Sequence, residues 1–318
     1  MVTGDPVRQA QAATDFPHAA VLSEPELVWA NAQSYDLVAV AAPNRAHVPL
    51  GLASLEAGLP VVIDKPLAAG SDDARRLEAA ARERDLMLAV FHNRRWDGDM
   101  LTVQRLVADR ALGQVLRFES RFERWRPERA ADAWRERGDP AEAGGVLFDL
   151  GSHLVDQALV LFGEVEDVYA EVERRRPGAL VGDDVFIALR HASGVHSHLW
   201  MSHLAGQPGP RMRVLGTEAA YVKWGLDPQE KALMSGARPG DPGWGREPRE
   251  RWGTLGAGED TRPLETEPGA YQRFYERVVL ALRDGGPPPV TANEAIAGLE
   301  ILEAAAMLDD LCGRSSVG

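Results

Sequence analysis

Tyr35-Asp36-Leu37-Val38-Ala39-Val40-Ala41-Ala42 runs into an unbroken apolar stretch, and Pro43-Asn44-Arg45-Ala46-His47 stops it. A strand with one wet face alternates apolar and polar residues; this run does not, so it reads as a strand buried on both faces of a parallel sheet. Outward from it, Val48 to Ala57 reads as a helix ended by Gly58. Pro60-Val61-Val62-Ile63 is a second buried strand and leads into Asp64-Lys65-Pro66. A helix over about Ser71 to Arg84 and a third strand, Met87-Leu88-Ala89-Val90-Phe91, complete the pattern. Strand, helix, strand, helix, strand at this spacing predicts right-handed βαβ units and a parallel sheet. Upstream lie two short helices, Arg8 to Phe16 and Glu24 to Ala30, the second started by Ser23 with Pro25 and Glu26 in its first turn. In such sheets ligands bind beyond the carboxyl ends of the strands. Three polar clusters stand there: Pro43-Asn44-Arg45-Ala46-His47, Asp64-Lys65-Pro66 and His92-Asn93-Arg94-Arg95.

After a helix from about Gly98 to Arg110 the pattern changes. Gln114 to Trp125, Asp167 to Glu173, Asp183 to Arg190, Gly194 to His203 and Arg211 to Leu215 read as strands. The link Ala192-Ser193-Gly194 predicts a hairpin. This predicts a mostly antiparallel sheet with helices on one face. Residues 235–264, rich in Gly, Pro and Arg, read as a loop over the site or at an interface. Two closing helices, about Gly269 to Arg283 and Asn293 to Asp310, flank Gly285-Gly286-Pro287-Pro288-Pro289.

Between the two halves lies Gly144-Gly145-Val146-Leu147-Phe148-Asp149-Leu150-Gly151-Ser152-His153-Leu154-Val155-Asp156. It reads as one helix despite Gly151, with Val146, Leu150, Leu154, Ala158 and Leu161 on one buried stripe. Asp149 and His153, four apart, then share a face. A carboxylate beside an imidazole handles protons, because it orients the ring and raises its basicity. A buried helix with an incidental Asp/His pair accounts equally well for this stretch taken alone.

The 318 residues suffice for two cores. A formal charge of -13 argues against nucleic acid and anionic membranes as partners, since both need basic surface. No apolar run approaches the ~20 residues of a membrane span. The single cysteine, Cys312, excludes internal disulfides and Cys-rich zinc sites. Met1-Val2-Thr3-Gly4-Asp5-Pro6 has no signal-peptide character, so the expected compartment is the cytoplasm.

Four features coincide in order: Pro-Asn-x-x-His after one strand, Asp-Lys-Pro after the next, Asn-Arg-Arg-Trp-Asp after a third, and Gly-Gly-x-x-x-Asp-x-Gly-x-His-x-x-Asp. Together they resemble the Gfo/Idh/MocA oxidoreductases over essentially the whole chain. Asn93-Arg94-Arg95-Trp96-Asp97, Arg124-Trp125-Arg126-Pro127-Glu128 and Trp134-Arg135-Glu136 resemble most the branch of NADP-dependent scyllo-inositol dehydrogenases. The resemblance implies a Rossmann-type α/β domain over 1–94. It implies an α+β substrate and oligomerisation domain over 95–318, with the closing helix 293–310 packing back on the first. Relatives open with a Gly-x-Gly-x-x-Gly turn that receives the pyrophosphate, and none occurs near this start. The expectation is an amino-terminally truncated dinucleotide fold lacking about 30 residues, the length of a βαβ unit. A misplaced start or a fragment of a longer gene explains it, and impaired cofactor binding follows.

The resemblance also implies roles. Lys65 becomes a catalytic-site lysine that holds the reacting hydroxyl and tunes His153, with the Lys65–Pro66 bond cis; a solvated turn lysine is the alternative. His153 becomes the general base or acid, against a satisfied core histidine, and Asp149 orients the substrate and His153. Pro43, Asn44 and His47 line the cofactor's ribose and phosphate side, Asp64 and Lys65 lie near the nicotinamide ribose, and Arg94 near the carboxamide or the substrate. Asn93 lines the substrate. Trp134 and Arg135 close over a sugar ring or serve as a hydrophobic anchor. Arg95 is as well explained by a surface ion pair. His196, His198 and His203 have metal-like spacing, but nothing in the family needs a metal and none is expected.

The implied activity is NAD(P)-dependent oxidation of a secondary hydroxyl of a sugar or cyclitol, with NADP favoured over NAD. An NAD-dependent glycosidase on the same scaffold, or a catalytically silent member, is the alternative. Val185-Phe186-Ile187-Ala188-Leu189 carries apolar residues in both alternating sets, which predicts a homodimer or homotetramer formed through the second sheet.

Overall fold

The computed structural model describes residues 1–130 and 133–312, which build two sheets over two cores. Pro6–Asp15 (α1) starts where the Asp5 carboxylate accepts the Val7 and Arg8 N–H groups, with Pro6 at its first position. The short helix Glu26–Trp29 (α2) follows. Next come Val38–Val40 (β1), His47–Glu56 (α3), Val61–Asp64 (β2), Ser71–Glu83 (α4) and Leu88–Phe91 (β3). The strands pair in parallel in the order β1-β2-β3, as the βαβ reading requires. Val61, Val62 and Ile63 in β2 and Leu88, Ala89 and Val90 in β3 are buried. β1 departs from expectation: it is three residues long and its Ala39 is exposed. It pairs only with β2 among the described strands, so its outer edge and one face have no cover.

The second half contains Gly98–Ala108 (α5), Val115–Glu123 (β4), Gly145–Asp149 (α6) and Gly151–Phe162 (α7). It continues through Val165–Glu173 (β5), Asp184–His191 (β6), His196–Ser202 (β7), Met212–Gly216 (β8), Ala220–Lys223 (β9) and Gln229–Met234 (α8). Gly253–Ala257 (β10), Asp260–Leu264 (β11), Gln272–Asp284 (α9) and Ala292–Cys312 (α10) complete it. The sheet order is β11-β10-β9-β8-β4-β7-β6-β5, antiparallel at each described pairing except β4 with β7. Met212 and Val214 of β8, Leu199 and Met201 of β7 and Val185, Ile187 and Leu189 of β6 turn to the core, against Leu154, Val155 and Ala158 of α7 and Leu302 of α10. Phe186, His198 and Trp200 lie on the opposite face. The stretch 235–264 is not only loop. The hairpin β10–β11 sits inside it, held because β10 pairs with β9, a tertiary contact that local composition does not report.

The central stretch is not one helix. α6 and α7 meet at Leu150, and the segment Pro140–Asp149, which ends in α6, lies at 62° to α7. Gly145 enters α6 at φ +83°, and a Cβ there would stand 2.8 Å from the Gly182 carbonyl oxygen that accepts the Val146 N–H. Only glycine fits that approach. At the bend, Gly151 lets Leu302 of α10 come close, 3.2 Å from where a Cβ would be.

α10 joins the two cores. Ala292, Ala295, Ile296 and Leu299 belong to the first, and Ile301, Leu302 and Ala305 to the second. Its entry is a capping box in which Glu294 accepts from Thr291 N and Thr291 Oγ1 accepts from Glu294 N. Further on, Glu303 accepts from Ser71 N and Ser71 Oγ, both at 2.6 Å, and so satisfies the start of α4 from 232 residues away. The sequence boundary at 94/95 assigned α9 to the second domain. Its buried residues Phe274 and Val278 lie in the first core instead, with Phe274 edge-on to Phe91 and Trp96. The apolar face of an amphipathic helix packs where an open core takes it. No single helix among the described residues is long and apolar enough to cross a membrane.

Candidate active site

The three turns that follow β1, β2 and β3 build one wall of the site. The Lys65–Pro66 bond is cis. His47, at the start of α3, is buried, with Nδ1 2.8 Å from the Pro66 carbonyl and Nε2 2.9 Å from the Ala42 carbonyl. It therefore clamps the exit of β1 to the exit of β2, and neither ring nitrogen is left to line a cofactor as expected. Asn44 is also committed: its amide donates to the Glu142 carbonyl at 2.7 Å. Arg45 pairs with Glu142 and, at 2.9 Å, with Asp139. This turn holds the second half of the chain, an assignment its polarity alone did not reveal. Pro43 is exposed beside it. Asp64 accepts from Lys65 N through one oxygen at 2.9 Å, and Asn93 has no side-chain partner among the described residues.

Lys65 is largely buried and donates to both the backbone oxygen and the carboxylate of Asp149, at 2.6 and 2.9 Å. An ammonium has three protons, so one donor remains for a substrate oxygen. Arg135 Nε reaches the same carboxylate oxygen at 3.2 Å, and its guanidinium lies 4.3 Å over the Trp134 ring. Burial works to raise the Asp149 pKa; Lys65 and Arg135 more than offset it and hold the carboxyl below its ordinary value. Asp149 is thus an ionised anchor for two cations.

His153 is buried in the first turn of α7, and its Nδ1 has no hydrogen-bond partner among the described residues. Its neighbours are the His92 ring, 6.3 Å away edge-on, and the Phe122 ring at 6.1 Å. Burial first, then the charges of Lys65 and Arg94, holds its pKa well below the ordinary 6.5. The ring is neutral and ready to accept a proton. The Asp149 carboxylate accepts from Lys65 and Arg135, and no hydrogen bond joins it to His153 Nδ1.

Several residues here were not singled out from the sequence. His92 is buried with Nδ1 3.8 Å from Asp156, itself 4% exposed in its side chain. Arg95, for which a surface ion pair and a functional role were equal readings, has a side chain only 10% exposed and grips Asp156 through Nε and Nη2 at 2.9 and 2.6 Å. His92 and Asp156 stood in the quoted motifs, at the end of β3 and four residues past Ser152, but a spacing cannot name its partner. Arg94, expected near the cofactor, is buried against Tyr271 and pairs with Asp97 and Glu230. Burial pushes Asp97 up to about 8 against the pull of Arg94.

Residues 2–92 match the model described as an oxidoreductase family with an NAD-binding Rossmann fold, and residues 100–222 match the GFO/IDH/MocA C-terminal domain. An uncharacterized oxidoreductase of Escherichia coli K12, YdgJ, is 40% identical over 291 residues, which are 91% of this chain and 83% of that protein. The scyllo-inositol 2-dehydrogenase (NADP(+)) IolW of Bacillus subtilis 168 is 35% identical over 302 residues, covering 94% and 83%. Among solved structures, the oxidoreductase yvaA from Bacillus subtilis superposes with a TM-score of 0.90 at 34% identity, covering 96% of this chain and 87% of that one.

Proposed function

The chain belongs to the Gfo/Idh/MocA oxidoreductases, NAD(P)-dependent dehydrogenases, and from that premise we propose that it oxidises a secondary hydroxyl of a sugar or cyclitol, using NADP in preference to NAD. The observation that carries the reading is the neutral, buried His153 with an unpartnered Nδ1 beside the spare donor of Lys65. Oxidation of an alcohol takes a proton from oxygen and a hydride from the same carbon. His153 accepts the proton, and Lys65 hydrogen-bonds the oxygen as negative charge develops on it. Asp149 fixes Lys65 by two bonds, one of them to its own backbone oxygen. A bound nicotinamide dinucleotide supplies the hydride acceptor. Residues 1–94 serve the cofactor, and Asp64 and Asn93, with polar atoms to spare, would hold its nicotinamide end. Residues 95–318 serve the substrate, with Arg135 and Trp134 closing over it. The similarity to IolW supports an inositol-like substrate and NADP.

The test is spectrophotometric. Incubation with NADP+ or NAD+ and a panel of cyclitols and sugars forms NAD(P)H in proportion to substrate, faster with NADP+. Release of a leaving group from glycosides without net NAD(P)H sinks the dehydrogenase reading in favour of a glycosidase.

The second sheet also supports assembly. On the face away from the helices, Phe186 and Trp200 stand opposite each other on β6 and β7 with ring centroids 5.1 Å apart, and Tyr169 is 51% exposed. An apolar patch on an open sheet is an association surface, so a homodimer, or a tetramer of two dimers, forms across it. Sedimentation at micromolar concentration gives a mass of at least twice 34.6 kDa. A single 34.6 kDa species unchanged on concentration overturns this.

A further inference from the structure

β4 and β7 form the parallel pair of the second sheet, so the segments leaving them run on side by side. Arg124 N donates to Ser202 O at 2.8 Å, Arg126 N to His203 O at 2.7 Å and Ala205 N to Arg124 O at 3.2 Å, while Trp125 bridges Leu204. Backbone pairing, not a free loop, therefore delivers residues 124–126. In an extended segment Phe122, Arg124 and Arg126 share one side. Phe122 is the ring that flanks His153, and three guanidiniums gather on it: Arg211 at 4.5 Å, Arg94 at 5.0 Å and Arg124 at 6.0 Å.

Their counter-charges differ. Arg94 has Asp97 and Glu230, and Arg211 has Asp99 at 3.4 Å. The guanidiniums of Arg124 and Arg126 have no hydrogen bond or ion pair among the described residues. The carboxylates that act on Arg124, Glu230 and Asp149, are already held by Arg94 and by Lys65 with Arg135. Burial, with Arg126 beside it, makes the Arg124 charge harder to keep. Beside them His203 Nδ1 is buried without a partner among the described residues. Arg124 is half-buried and Arg126 exposed. A half-buried cation such as Arg124 with no counter-ion is costly, an arriving anion removes that cost, and Arg126 at the surface adds a second donor to it.

We infer that Arg124 and Arg126 form an anion-binding site on the rim of the catalytic cleft, and that it takes the carboxylate or phosphate of a charged polyol, a sugar acid or a sugar phosphate. The inference rests on the reading of this cleft as a polyol dehydrogenase and narrows its substrate class.

Calorimetric titration of the full chain with glucose, glucuronate and glucose 6-phosphate, with and without NADP+, tests it on one ring skeleton. At least one charged ligand binds roughly 10- to 100-fold more tightly than glucose, the range of a charge-assisted contact. Which of the two does so separates carboxylate from phosphate. Arg124→Gln and Arg126→Gln each shrink that ratio toward one, and Arg124→Lys keeps part of it. Three results overturn the inference: no charged ligand binding more tightly than glucose, a preference that persists in the double Gln variant, or variants that weaken NADP+ binding and leave the sugar ratio intact. A charged ligand preferred in this way, with no NADPH formed from any of the three or from the cyclitol panel, upholds the anion site and removes the dehydrogenase reading instead.

Discussion

His153→Ala lowers kcat for alcohol oxidation by about 10²–10⁴ at neutral pH while dinucleotide affinity stays nearly unchanged. The loss falls on kcat because the imidazole acts when the hydroxyl proton moves, not when the ligands dock. The pH profile carries a second signature. A base works only unprotonated, and burial with Lys65 and Arg94 nearby holds this ring well below 6.5. The wild-type rate therefore stays level as pH falls to 6.5 and declines only below it. The variant loses that acid limb. Lys65→Met also depresses kcat, and the double variant loses less than the product of the two single effects, since both residues act on one oxygen. Steady-state kinetics over pH measure all of this. A variant as fast as its parent, or a wild-type acid limb centred above 6.5, removes His153 as the base.

Asp156→Ala destabilises the fold by about 3–5 kcal/mol, the usual cost of stripping one partner from a buried ion pair. Asp156 is 4% exposed in its side chain and Arg95 10%, so water does not replace the lost bonds. Burial works to raise the Asp156 pKa, yet His92 and Arg95 hold it below the ordinary value. Without the carboxylate, Arg95 keeps only Glu294, and His92 loses its nearest anion. By contrast Arg76→Ala, which breaks an exposed pair with Asp73, costs about 0–1 kcal/mol. Urea denaturation of both variants decides the contrast. A midpoint for Asp156→Ala within the range of Arg76→Ala would show that water reaches the pair.

The reach of the sequence can be traced residue by residue. β2 and β3 were legible because a strand buried on both faces has no choice but continuous apolar residues. Lys65 and His153 could be singled out because a strand end and a tight motif limit where a side chain can go; their roles rest on the proposal. The break at Leu150 was not, since Leu150 continues the apolar stripe, and the close approach of Leu302 to Gly151 beside it comes from far along the chain. β10 and β11 were hidden because β9 holds them, not their own Gly- and Pro-containing residues. Asn44 and His47 stand in the turn after β1, and their described bonds go to Glu142, Pro66 and Ala42 of the chain itself. Polar side chains announce that they will bond, and only the fold decides to what. Arg124 stood in a quoted motif, but that Glu230 and Asp149 are held by other cations, leaving it no ion pair among the described residues, is set by the fold.

The closing helix α10 bears on how the chain is made. On a ribosome the first parallel sheet emerges early, yet Phe274, Val278, Ala295, Ile296 and Leu299, which finish its core, emerge last. Until then α4 waits for Glu303, and apolar surface on the nascent first half stays open. Order of synthesis and order of folding are therefore decoupled. The amino-terminal half must be kept from aggregating while some two hundred further residues are translated, and shortening the carboxyl end unsettles the beginning of the chain as much as its end.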